Sequence, residues 1–181
     1  YHLAVPSEKN KSNRTAKIPL QVVVCVSGGS DSVALFYLLH RLSSLLQLGL
    51  HILHFNHQLR PEANDEQNFV KSLADQNKIP FHYVTAKHLK TGQPGLQESA
   101  REWRIEESRK LLETIGGGRI TTGHHADDQT ETLLLKLLRG THISNLQGMR
   151  WINTPFIRPL LNFRKSELQD YLKKNKLTWM E

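Results

Sequence analysis

Ser27-Gly28-Gly29-Ser30-Asp31-Ser32 is the first stretch of this sequence whose residue types and order could do chemistry. Adjacent glycines let a backbone turn tightly and approach an anion without a Cβ in the way. If a helix follows, its free amides and positive dipole end face phosphate oxygens. Ser27, Ser30 and Ser32 add hydroxyl donors, and Asp31 can hold a Mg²⁺ that bridges phosphate oxygens. A Gly-Gly turn with a serine cap would explain a shorter piece of this motif; the whole hexapeptide between a strand pattern and a helix pattern favours phosphate. The sequence has no G-x-x-x-x-G-K-[ST] and no G-x-G-x-x-G in its first crossover, so neither a P-loop lysine nor a dinucleotide fingerprint is in play.

The second such stretch is Thr122 to Glu131, TGHHADDQTE. Asp128 and Glu131 are spaced i, i+3 and Asp127 and Glu131 i, i+4, so on a helix they project together from its first turn. Beside His124 and His125 these carboxylates could hold a primary ammonium group. Ordinary helix capping explains the same acids, and zinc is a third reading that lacks a firm third ligand. In Glu98 to Arg104, ESAREWR, Arg101 and Arg104 stand one helical turn apart and could clamp a phosphate. Salt bridges from Glu98 to Arg101 and from Arg104 to Glu107 are the plainer explanation.

These groups need a frame, and the pattern supplies one. Short apolar runs at Gln21–Ser27, Leu50–Phe55, Phe81–Thr85 and Arg119–Gly123 read as strands. Helical spacing follows each of them, at Asp31–Leu48, Glu62–Asn77, Leu96–Ile115 and Asp127–Leu138, with a last helix at Ser166–Lys174 capped by Ser166. The alternation predicts an α/β fold, a doubly wound parallel sheet of about five strands. Every motif above falls at the carboxyl end of a strand, where such sheets bind ligands.

The chain has 181 residues and a net charge of +7. From Leu133 onward nine Lys or Arg face three acids, Glu167, Asp170 and Glu181, a balance that suits a polyanion such as RNA and suits a solvated basic face equally. The one cysteine, Cys25, excludes a disulfide framework and two-cysteine sulfur chemistry, and reads as core packing inside the first strand. No apolar run is long enough to span a membrane. Residues 1–18 read as a flexible basic lead-in, residues 19–181 as one domain, and the chain as a fragment or processed form.

The hexapeptide resembles the pyrophosphate-binding loop of the N-type ATP pyrophosphatases (PP-loop superfamily). HFNHQLRPEAN (His54 to Asn64), ESAREWR, TGHHADDQTE with the following LLLKLLRG, Gly148-Met149, Arg158-Pro159-Leu160-Leu161 and Trp179-Met180-Glu181 resemble, in order, the motifs of the tRNA(Ile)-lysidine synthetase family. One departure is Asn56, where that family commonly has Asp. The resemblance implies an adenine nucleotide α-hydrolase-like fold, ATP and Mg²⁺ as cofactors, and two substrates. These are free L-lysine and a tRNA(Ile) with a CAU anticodon, whose wobble cytidine is adenylated and then joined to lysine. It implies that Ser27, Gly28, Gly29, Ser30 and Ser32 cradle pyrophosphate and that Asp31 positions Mg²⁺. It implies further that Arg104 neutralises charge at the α-phosphate, Asp128 and Glu131 bind lysine's amino groups, and His124 lies near the reacting base. The family's further tRNA-gripping domains lie outside this sequence. The resemblance leaves room for a homodimer and expects bacterial cytoplasm, or an organelle stroma or matrix. Another pyrophosphatase-type synthetase or amidotransferase on a small molecule, or a non-catalytic nucleotide- or RNA-binding module, would share the loop.

Overall fold

A computed structural model describes residues 18–58, 63–86, 95–140, 142 and 146–181. Residues 1–17 of the basic lead-in, and Leu59 to Glu62 at the expected start of the second helix, lie outside the described residues. The described elements run β1 (Leu20–Cys25), α1 (Ser30–Leu46), β2 (Leu48–Asn56), α2 (Ala63–Gln76), β3 (Phe81–Thr85) and α3 (Leu96–Thr114), followed by β4 (Arg119–Thr121), α4 (Ala126–Leu138), β5 (Ile152–Asn153), β6 (Phe156–Ile157) and α5 (Lys165–Lys174).

The strands form one sheet in the order β3-β2-β1-β4-β6-β5. Five are mutually parallel, as the alternating pattern expects, and β5 is an antiparallel edge strand paired with β6. The β-branched run Val22-Val23-Val24 puts β1 at the centre, because a strand buried on both faces can be apolar throughout. Val22, Val24 and Val26 pack with α1, α2 and α5 on one face, and Val23 with Ile120, Leu112 and Phe156 on the other, which α3 covers. After β3 the chain crosses the sheet to β4, so the order reverses between β1 and β4. A crevice opens at that reversal, outside the carboxyl ends of the strands.

The last helix departs from the sequence expectation. It begins at Lys165, with Arg164 rather than Ser166 at the N-cap. Glu167 Oε2 accepts the Arg164 backbone N–H at 2.8 Å, and that carboxylate fixes the start ahead of where a serine cap would put it. Among the described residues no helix is long and apolar enough to cross a membrane.

Candidate active site

The loop that joins β1 to α1 is closed by its own serines. Ser27 N–H donates to Ser32 Oγ at 3.1 Å, and the Ser32 hydroxyl donates to the Gly29 carbonyl at 3.0 Å. Gly29 N–H reaches Ser27 Oγ at 3.4 Å, and Ser30 Oγ donates to Asp31 Oδ1 at 3.1 Å. Gly28 sits at φ +104°, a backbone conformation that glycine adopts without strain. Asp31 lies in the first turn of α1, beside the amides that face the crevice.

That crevice is a cavity of about 510 Å³. Ser27, Gly29, Asp31 and Ser32 form its floor; Arg101, Arg104 and Arg158 form a cationic wall; Thr122, Gly123, His124 and Asp128 complete it from the β4–α4 side. Desolvation holds the Arg104 and Arg158 guanidiniums below their ordinary range, and the neighbouring Arg101 charge pushes both further down. Arg158 Nη1 donates to the Arg150 carbonyl at 2.8 Å, while its buried Nε has no hydrogen-bond partner among the described residues. Cations gathered so closely are the electrostatic complement of an anion.

His124 faces that wall. Desolvation first, then the Arg158 charge, lower its imidazole below 6.5, against an opposing pull from Asp128. It is neutral at pH 7 and shares a 2.8 Å hydrogen bond between Nδ1 and Thr122 Oγ1. His125 is buried and caps α4, its backbone N–H donating to Asp128 Oδ2 at 2.8 Å. Its Nε2 stands 3.5 Å from Asp31 Oδ2 and 3.6 Å from Asp128 Oδ2, so one imidazole spaces the start of α1 from the first turn of α4.

The structure divides the acidic cluster expected from spacing. Asp128 lines the cavity. Asp127 instead turns outward, accepting the Lys165 N–H at 2.8 Å. Glu131 is exposed and is not part of the lining, because the next turn of α4 has already climbed away from the sheet edge. Among the described residues no three His, Cys, Asp or Glu side chains are placed to hold a metal ion on their own. Asp31 with the loop hydroxyls does fit a Mg²⁺ delivered on a phosphate, since that ion needs only one or two protein carboxylates beside phosphate oxygens.

Arg158, Gly123 and His54 are among the cavity groups that were not site residues expected from sequence. Arg158 follows β6, a strand too short to show a period. Gly123 touches the start of α1: a Cβ there would lie 3.1 Å from the Ser32 nitrogen and 3.2 Å from the Asp31 carbonyl carbon. His54 is 1% exposed and lines the cavity. Its Nδ1 donates to the Val26 carbonyl at 2.9 Å, while the buried Nε2 has no partner among the described residues. The place of His54 at the end of β2 was legible; its inward orientation was not. Cys25 is a correction of a different kind. It lines the cavity as well as packing on the core, because it ends β1 rather than sitting within it. Burial pushes its thiol up to about 11, so it carries no thiolate nucleophile at neutral pH.

The doubly wound sheet, with a glycine–serine loop at its switch point and a cation-walled cavity above it, defines an α/β domain of the PP-loop class. Residues 6–181 match the family model described as the PP-loop domain, and the chain belongs to that family. Curated relatives include tRNA(Ile)-lysidine synthases of Chlorobaculum tepidum, 37% identical over 88% of this chain and 50% of the relative, and of Symbiobacterium thermophilum, 38% identical over 87% and 34%. A third, from Streptococcus mutans, is 36% identical over 81% of this chain and 34% of the relative. The chain thus spans between a third and a half of the length of these relatives. Among solved structures, the U34-tRNA thiolase NcsA from Methanococcus maripaludis superposes with a TM-score of 0.76 at 17% identity, covering 91% of this chain and 60% of the thiolase. The phosphoadenylyl-sulfate reductase from Candida auris gives 0.54 at 11% identity, over 87% and 74%. At such identities the likeness is one of fold.

Proposed function

We propose that this domain carries the active site of a tRNA(Ile)-lysidine synthase, and that it uses ATP to join lysine to the wobble cytidine of a tRNA(Ile) with a CAU anticodon. The observation that carries the reading is the cavity in which the phosphate loop, the arginine wall and Asp128 meet; the relatives named above supply the reaction class. The cytidine 2-carbonyl oxygen attacks the α-phosphorus of ATP, and pyrophosphate leaves toward the amides of Gly29 and Ser30. Arg104 and Arg158 offset the charge that builds on the α-phosphate. Mg²⁺ held at Asp31 would neutralise the departing pyrophosphate.

A lysine amine then attacks C2, forming the carbon–nitrogen bond as the C2–O bond to AMP breaks. The attacking amine sheds a proton, and His124, whose burial favours the neutral ring, is the group assigned to accept it. Asp128 meets the ammonium, which gives one proton to solvent to become the free amine before it attacks. Glu131, on an exposed turn, would meet only the far amino group of so long a substrate. The test is transfer of labelled lysine to that tRNA, with ATP and Mg²⁺, by a protein containing this domain. Transfer that is lost in Asp128→Ala while pyrophosphate release persists supports both the reaction and the lysine site. Absence of lysine transfer and of pyrophosphate release in the unaltered protein overturns the reading.

A further inference from the structure

The phosphate loop is held from outside by the segment that follows α5. Met180 N–H donates to the Gly28 carbonyl at 2.9 Å. Its side chain closes over the same residue, with Cγ 3.5 Å from where a Gly28 Cβ would stand, and Phe69 of α2 lies on the locus at 3.7 Å. The segment is itself anchored: Leu177 N–H donates to the Leu172 carbonyl at 2.9 Å, and Trp179 packs on the core of β1, α1 and α5.

In a trans peptide the carbonyl and the following N–H point in opposite directions. A Gly28 carbonyl turned out to Met180 therefore turns the Gly29 N–H the other way, toward Ser27 Oγ and the cavity floor. The 3.4 Å separation there is longer than an ordinary N–H···O bond, so a phosphate oxygen could displace the hydroxyl at little cost. Glycine on both sides leaves this peptide free to rotate as a unit. Rotated, it would present a carbonyl oxygen to the phosphate in place of a donor.

We propose that Met180 is a positioning residue: its backbone amide locks the Gly28–Gly29 peptide donor-side-in, so that docking of residues 177–180 sets the anion affinity of the loop. The inference rests on the loop being a phosphate site. Met180→Pro removes the amide hydrogen, whereas Met180→Leu keeps it. Titrated with inorganic pyrophosphate, Met180→Pro binds about ten-fold more weakly than the unaltered protein, and Met180→Leu restores affinity to within about two-fold. The melting temperatures of the two variants stay together. A proline variant that folds and binds pyrophosphate as tightly as the leucine variant overturns the proposal.

Hydrogen exchange gives a second measurement if the proline variant does not fold. In the unaltered protein the Met180 amide is protected, and pyrophosphate adds protection at Gly29. A Met180 amide that exchanges as an open chain does also overturns the proposal. An unaltered protein that binds neither pyrophosphate nor ATP overturns the phosphate reading itself, a result distinct from either of these.

Discussion

Gly123 shows how little room the site leaves. A methyl group there would press on the backbone of Asp31 and Ser32, atoms that cannot swing aside as a side chain can. Gly123→Ala should displace the start of α1, cost about 1–3 kcal/mol of stability and lower ATP turnover about ten- to a hundred-fold. Urea melts and pyrophosphate release measure the two effects separately. Turnover at the original rate would mean that the strain is not transmitted to the loop. The acids make a sharper contrast. Asp128 lines the cavity and Glu131 does not, so Asp128→Ala should abolish lysine transfer while Glu131→Ala mainly raises the KM for lysine. Equal loss in both would restore the paired site that spacing alone suggests.

His124 allows a residue-scale test by pH. Its folded pKa is below 6.5, so the neutral ring persists at neutral pH and is lost only on acidification below that value. The acid limb of the pH–rate profile should fall beneath pH 6.5. Arg158→Gln removes a neighbouring positive charge that favours the neutral ring, so the limb should move to higher pH even as the rate drops. An unmoved limb would assign it to another group.

At the scale of elements, the parts that show a period were the legible ones. β1 announces itself by three successive valines, and the helices α1 to α4 by apolar spacing that survives at their ends to within a few residues. The β5–β6 hairpin was invisible because each strand is two residues long, and two residues have no alternation to read. With the hairpin hidden, so was the cavity position of Arg158, which that hairpin delivers. The position of Asp128 at the cavity follows from its place in a helix's first turn, whereas that of Glu131 outside the lining does not follow from one-turn spacing, which does not say where a helix leaves the sheet edge.

Strand pairing also brings together histidines that are remote in sequence. His51 Nε2 donates to Gln21 Oε1 at 3.0 Å, which leaves Nδ1 to accept from His82 Nε2 at 3.1 Å. Desolvation lowers the pKa of both rings, and of His54, and repulsion from His82 lowers His51 further. Folded, these groups hold fewer protons than unfolded histidines do. Their stabilising share is therefore full above 6.5 and is lost as pH falls through that value toward the folded pKa values. Urea unfolding at about pH 7.5 and about pH 5 should show lower stability at the acid end. The gap should narrow in the double variant His51→Gln, His82→Gln. A gap unchanged by those substitutions would place the acid sensitivity elsewhere.

At the scale of the whole molecule the charge is lopsided. The stretch from Leu133 onward, about the last quarter of the chain, carries most of the excess behind the net +7, and it includes Arg150 and Arg158, the latter on the cavity wall. A polyanion drawn to that stretch would meet the cavity mouth, so one field would serve both to attract RNA and to offset charge at the α-phosphate. Arg139 and Arg150 are exposed and do not line the cavity, which makes them the separable part of this field. Binding of the tRNA should weaken steeply with added salt as counterions are released. Arg139→Ala with Arg150→Ala should flatten the slope of log K against log salt by roughly 0.7 for each phosphate that is no longer neutralised. Pyrophosphate affinity should hold, because the loop is untouched. If instead the slope is unchanged in the double variant, the basic stretch is a solvated face, and the RNA is gripped by surfaces other than these two arginines.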